Sequence, residues 1–415
     1  MTSCRGGDLV ITGVGITTAT GQGRARFTSA LLAGEQAFDV MRRPGRQSST
    51  HFIGAELPDL SLPPGVLSRT LRGSSLSARA ALVTVYEAWQ EANLEAVDPC
   101  RIGLIVGGSN IQQRELVTAH DAYAARARYM PPSYAVSFLD SDVCGLCTEQ
   151  FGIRGASYTI GGASASGQLA VIQAAMAVAS GEVDVAIAVG ALMDLSYWEC
   201  CALRSSGAMG SDSFATEPQK ACRPFDRRRD GFIFGESCAA LVIERLDGIT
   251  RPGVSPQAVM RGWAVVMDAH RGAEPSPEGQ ARAITCALGR SGLSAADIDY
   301  INPHGSGSVK GDESEIQAIR TSGLAHARIN ATKSLVGHGL TSAGAVEIVA
   351  TLVQMSESGL HPTRNLDEPI DSALRWIGEE AEPHIMCNAL SLSFGFGGIN
   401  TALCLSRVTS SAGGS

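Results

Sequence analysis

The sequence has no run of the roughly 18 uncharged apolar residues that a membrane-spanning helix requires, so no membrane span is expected. It has no basic excess either. Lys and Arg number 33 against 41 Asp and Glu, and the net charge of −8 argues against the basic face that nucleic-acid binding needs. The opening stretch MTSCRGGDLVITGVG runs straight into a strand-like segment without the apolar core of a secretory signal. The eleven cysteines lack metal-ligand grouping. Only Cys144 and Cys147 form a CxxC, and the adjacent Cys200 and Cys201 do not supply a second pair with suitable spacing. The others are scattered (Cys4, Cys100, Cys222), which reads as reduced, mostly buried thiols and a cytoplasmic location. Low complexity is confined to the tail TSSAGGS at 409–415, where disorder is expected.

What is present fits a globular α/β protein. At 415 residues and 44% hydrophobic content, the chain can bury one large or two moderate cores without staples. Short apolar runs alternate with helical stretches. Strands are expected at 9–12, 102–106, 185–189, 239–243, 264–266, 300–302 and 402–405. Helices are expected at 77–92, 167–180, 279–291, 312–319 and 343–355. Gly and Pro accumulate in LDGITRPGVSPQ (246–257), which sets a seam between residues 1–250 and 251–415. Each side carries a strand, a small-residue turn and a helix. SYTIGGASASG on one side is matched with YINPHGSGS on the other, and an internal duplication is expected.

Four elements hold the candidate chemistry. TIGGASASGQLA places Ser164 at the head of a helix, where free N–H groups favour developing negative charge. NPHGSGS holds His304 in a turn after a strand, before the acidic segment 311–315. TKSLVGHGLTSAGAVE supplies Lys333, His338 and Glu347. SFGFGGIN (393–400) reads as a glycine-rich loop whose amides approach something closely, or as a tight turn between two strands. Each signal is weak alone, and their combination in this order is specific.

In this combination the chain resembles the β-ketoacyl synthase (ketosynthase) family, from VITGVGITTATGQG through RPFDRRRDGFIFGE to SFGFGGIN. The resemblance implies the thiolase-like fold, two similar α/β halves stacked in α-β-α-β-α layers, usually as a homodimer. It maps the family's nucleophilic cysteine onto Ser164 and its two histidines onto His304 and His338. The family's lysine falls on Lys333 and its glutamate on Glu347. An oxyanion hole would lie between the amides of Phe396 and Ser164, and pantetheine-contacting hydroxyls at Ser306 and Ser308. Asn110, Gln112 and Gln113 would suit a short or absent acyl pocket. Asp226, Arg229 and Asp230 are expected to form a structural ion network, Arg227 and Arg228 are candidates for docking an acidic carrier protein, and His270 is expected to be structural.

A serine hydroxyl needs an adjacent base during attack, and no Ser-His-Asp arrangement is evident. Stabilising the enolate left by loss of CO₂ requires only donors aimed at its oxygen, and both histidines are retained. The expectation is therefore decarboxylation of malonyl-acyl carrier protein to acetyl-acyl carrier protein without carbon–carbon bond formation. It resembles the Cys-to-Ser ketosynthase-like decarboxylases of polyketide β-branching cassettes. No cofactor is expected beyond the phosphopantetheine arm of the acyl carrier protein. A hydroxymethylglutaryl-synthase-like enzyme (HMG-synthase) would use the acetyl product downstream. Two other readings stay open on sequence. One is a condensing synthase in which Ser164 is a natural or engineered replacement for the cysteine; the other is a non-catalytic subunit resembling a chain-length factor.

Overall fold

The computed structural model describes residues 7–66 and 71–408, so Cys4 and the tail 409–415 lie outside the described residues. The first half is carried by β1 (Leu9–Thr18), β2 (Ile102–Gly107), β3 (Ser157–Ile160), β4 (Val185–Gly190) and β5 (Ser237–Arg245). They lie in the order β3-β2-β4-β5-β1, with β3, β2 and β4 parallel and the remaining pairs antiparallel. The second half consists of β6 (Ala258–Met267), β7 (Tyr300–Asn302), β8 (Arg328–Ile329), β9 (Arg375–Trp376), β10 (Asn388–Gly395) and β11 (Ile399–Arg407). Its order β8-β7-β10-β11-β6 repeats the first half strand for strand, with the same parallel and antiparallel pairs. β9 is added in parallel at the outer edge. The halves meet where β1 and β6 pair antiparallel at Val10↔Val259 and Ile11↔Ala258.

Side-chain alternation along β4 creates the layers. Val185, Ile187 and Val189 face an outer core that includes Ala81, Val85 and Ala88 of α1 (Leu76–Glu91). Ala186 and Ala188 face inward, and their small size lets α2 (Ser166–Ala179) lie close to the sheet. On the second half, α3 (Pro277–Ser291) and α4 (Val309–Thr321) cover the outer face through Ile284, Leu288, Ile316 and Ile319. Between the halves lies α5 (Ala343–Glu357), buried from Ala343 to Met355, with α2 against it. A helix apolar on every side must be covered on every side, and this one forms the middle of five layers.

α2 and α5 interlock through glycine. A Cβ on Gly167 would lie 2.9 Å from the Ala345 amide nitrogen, and one on Gly344 would lie 2.9 Å from that of Gln168. Among the described residues, no helix is long and apolar enough to cross a membrane.

The structure refines the sequence reading in three places. SYTIGGASASG begins with the third strand of its half, so its counterpart is the β8-to-α5 segment carrying ATKSLVGH; YINPHGSGS begins with the second strand of its half, β7, and corresponds to β2 and the turn after it. The stretch 393–400 is not loop throughout, because Ser393–Gly395 finishes β10 and pairs into β11, leaving a hairpin turn at 396–398. The seam at 246–257 is tied down: Arg251 donates to the Ala92 carbonyl at 2.8 Å and pairs with buried Glu244.

Candidate active site

The repeated topology explains how Ser164 and His338 meet. Each lies between the third strand of its half and the central helix that follows, and these two helices cross at their glycines. On the Ser164 side, Ala163 adopts φ 47, a left-handed conformation disfavoured for a residue with a Cβ. The Ser166 hydroxyl holds that turn, accepting from the Gly162 amide at 2.9 Å and donating to the Ala163 carbonyl at 2.7 Å. β10 closes the other side. Ser393 donates to the Ser164 carbonyl at 3.3 Å, and a Cβ on Gly395 would come within 2.5 Å of the Gly162 carbonyl oxygen.

His338 Nε2 lies 3.1 Å from Ser164 Oγ. Its other ring nitrogen, Nδ1, accepts the backbone N–H of Leu340 at 3.3 Å. In a neutral imidazole the nitrogen that accepts is unprotonated, so the proton sits on Nε2. The nitrogen facing Ser164 is therefore a donor, not a base.

His304 carries the same arrangement by other means. Lys333 Nζ lies 3.5 Å from His304 Nδ1, donates to the His304 carbonyl, and pairs with Glu347 Oε1. A cation at Nδ1 leaves the proton on Nε2 here as well. The rings of His304 and His338 stand edge to face with centroids 5.2 Å apart. Burial pushes both imidazoles well below the ordinary 6.5, and the Lys333 charge adds to the effect, so both rings are neutral. Burial raises Glu347 to about 7, against the pull of the Lys333 ammonium.

Two acidic residues that the sequence reading did not assign hold the His304 turn. Glu315 of α4 accepts from the His304 amide at 2.6 Å and the Gly305 amide at 2.7 Å. Asp312, one turn earlier, accepts from Phe225 at 2.7 Å and Gly307 at 3.0 Å. Burial raises Glu315 to about 8 and Asp312 to about 6, while the amides that each accepts favour the carboxylate form. Their i, i+3 spacing on one helix face was the available signal, since it sets both carboxylates toward one turn.

These groups open on a cavity of about 520 Å³ whose lining includes Ser164, His304, His338, Met193, Phe232 and Phe394. Ser306 and Ser308 stand on its wall with their hydroxyl oxygens 2.9 Å apart, and Phe396 is at the hairpin lip, 44% exposed. Lys333 and Glu347 lie behind the histidines, each nearly fully buried. Of the polar residues expected at a short acyl pocket, only Asn110 reaches the cavity. Gln112 turns away and donates to Asp142 at 3.1 Å, and Gln113 begins the helix Gln113–Tyr123 outside the lining.

The remaining motif residues serve the scaffold. Asp226 is buried against Arg223, while Arg229 donates to the Asp226 carbonyl at 3.0 Å and the Val309 carbonyl at 2.8 Å. Asp230 accepts from Ser211. Arg227 is exposed, and Arg228 pairs with Asp367 at the surface. His270 is exposed with Nε2 3.0 Å from the Glu274 carbonyl. Cys144 and Cys147 are buried on the helix Ser141–Phe151. Burial pushes the Cys144 thiol up to about 11, and among the described residues no group of side chains is arranged to hold a metal ion.

Comparison with known proteins agrees with this architecture. Residues 7–248 match the β-ketoacyl synthase N-terminal domain and residues 257–367 the β-ketoacyl synthase C-terminal domain. The chain is 56% identical to the polyketide biosynthesis malonyl-ACP decarboxylase PksF of Bacillus subtilis (strain 168) over 413 residues, 100% of each chain. It is 31% identical to a putative polyketide β-ketoacyl synthase 1 of Streptomyces halstedii, covering 96% of this chain and 97% of that one. A solved β-ketoacyl synthase from Burkholderia phymatum STM815 superposes with a TM-score of 0.88 at 28% identity, covering 97% of this chain and 100% of that one. With two domain matches in sequence and a doubled 3-2-4-5-1 sheet in structure, the chain belongs to the β-ketoacyl synthase family.

Proposed function

We propose that this protein removes CO₂ from malonyl-acyl carrier protein and returns acetyl-acyl carrier protein, with no carbon–carbon bond formed. The observation that carries this reading is the occupied Nδ1 of each active-site histidine. It leaves two neutral Nε2–H groups available where a thioester oxygen becomes negative as CO₂ departs. The bond between the thioester's α-carbon and its carboxylate breaks, and its electron pair enters the enolate. The two imidazole donors hold the enolate oxygen, and a proton then reaches the α-carbon. The same hydrogen bonding argues against Ser164 as an acyl-carrying nucleophile, because His338 offers it a proton and cannot remove one. The 56% identity to PksF supports the malonyl substrate.

The reading includes the residue roles and wider setting. Lys333 and Glu347 position His304, while Ser306 and Ser308 contact the phosphopantetheine arm, which is the only carrier group required. The amides of Phe396 and Ser164 add oxyanion donors. Each half of the chain, 1–250 and 251–415, contributes part of the site, and the enzyme acts in the cytoplasm as a homodimer. An HMG-synthase-like enzyme of a polyketide β-branching cassette consumes the acetyl product.

Intact-mass analysis of the enzyme after exposure to acyl- and malonyl-loaded carrier protein tests the assignment against a condensing synthase. The native protein is expected to stay unmodified, and Ser164→Cys to gain an acyl adduct. An acyl group on native Ser164 would contradict the proposal.

A further inference from the structure

The decarboxylation reading leaves one step without an agent: the enolate carbon needs a proton, and both histidine N–H groups are engaged at oxygen. Three observations bear on it. Ser164 Oγ accepts from His338 Nε2–H at 3.1 Å, and among the described residues it has no other hydrogen-bond partner. The hydroxyl oxygen therefore accepts one hydrogen bond, while its own proton is directed at no protein group among the described residues. Ser164 lines the cavity beside His304 and His338, so that hydroxyl opens onto the space where substrate must lie. The residue also sits immediately ahead of α2, a helix of 14 residues whose N-terminus favours negative charge on the oxygen. Of the nearby hydroxyls, Thr341 donates to the Ala191 carbonyl at 2.7 Å, and Ser306 and Ser308 share one hydrogen bond with each other.

We propose that Ser164 is the proton donor to the α-carbon of the enolate, a catalytic residue with an acid's role in the position onto which the family resemblance maps a nucleophile. This inference rests on the decarboxylation reading. In the step itself the Ser164 O–H bond breaks and a C–H bond forms at the α-carbon. The enolate electron pair returns to give the thioester carbonyl, and the negative charge passes to Ser164 Oγ. There the helix N-terminus holds it, and the His338 N–H returns to it as the thioester carbonyl re-forms, until water entering the cavity supplies a proton and leaves as hydroxide. Carbon–carbon cleavage comes first, so removing the hydroxyl affects how the enolate is quenched more than how it forms.

The stereochemistry of that quench is the readout. Malonyl-loaded carrier protein bearing one tritium of known configuration at the α-carbon is incubated with enzyme in D₂O, and the configuration of the product acetate is determined. Native enzyme is expected to give one configuration. Ser164→Ala is expected still to release CO₂, because cleavage precedes the proton transfer, and to give racemic acetate because bulk water then delivers the deuteron. Ser164→Thr, which keeps a hydroxyl, is expected to restore a single configuration. Unchanged configuration in Ser164→Ala, racemic product from native enzyme, or complete loss of CO₂ release in Ser164→Ala would each overturn the inference alone. Native enzyme that releases no CO₂ from the malonyl carrier would overturn the decarboxylation reading, and this inference with it.

Discussion

At the scale of single residues, the site works through protons that are placed and kept in place. His304 and His338 are both neutral and both present Nε2–H, because an ammonium or an amide occupies the opposite nitrogen. Since burial holds their pKa values well below 6.5, neither imidazole should show an NMR titration midpoint as pH falls through 6.5. A midpoint there would mean that a ring charges in the folded enzyme, whereas an acid limb in the rate at about 6 to 8 would report Asp312, Glu347 or Glu315. Stability follows the same sign. The contribution from keeping these rings neutral is fully present above pH 6.5 and is lost as pH falls toward their depressed values. Lys333→Met should abolish ordered placement of His304 and leave Glu347 buried without its cation, a loss of about 3–5 kcal/mol in urea denaturation. Adding Glu347→Gln should recover part of that stability without recovering activity. These roles were only partly legible in the sequence. Ser164, the histidines, Lys333 and Glu347 stood in recognisable motifs, whereas Glu315 and Asp312 lay in an acidic segment to which no role was assigned. Beyond their i, i+3 spacing, it is the burial of that face against the His304 turn that distinguishes them.

At the scale of elements, the site depends on two helices crossing closely enough to bring Ser164 and His338 together. Gly167 and Gly344 permit that approach, and a methyl at either position meets backbone of the partner helix. Gly344→Ala should lower the urea midpoint by an amount corresponding to about 1–3 kcal/mol. It should also reduce CO₂ release by widening the gap between the serine and the imidazole. A variant with native activity and a lowered midpoint would show that the crossing serves stability alone. The sequence indicated both helices within a residue or two, because their apolar runs are long and capped by small-residue turns. The tight-turn reading of SFGFGGIN fits the hairpin between β10 and β11, but the eight-residue strand β10 feeding that turn was not among the expected strands, because the glycines at 395–398 drew attention to the turn. The sequence reading also paired the wrong segments between halves, since strand order is set by long-range pairing that local composition does not encode.

At the scale of the whole molecule, duplication gives a doubled sheet with one site near its pseudo-symmetric centre, to which each half lends different chemistry. The first half supplies Ser164, and the second supplies the histidines, the lysine and the glutamate. The seam between them is held by Arg251, whose partner Glu244 is buried. Arg251→Met should therefore lower stability and expose 246–257 to limited proteolysis, while the native seam resists cleavage. The central claim is that this scaffold keeps the decarboxylating half of a condensing enzyme's chemistry and has no thiol to begin the other half. Mass spectrometry of malonyl-loaded acyl carrier protein incubated with the native enzyme tests it most directly. Loss of the mass of one CO₂ from the carrier, with acetyl as the remaining load and no β-ketoacyl product, is the predicted result. A carrier that stays malonylated, or that returns bearing a β-ketoacyl chain, would contradict it.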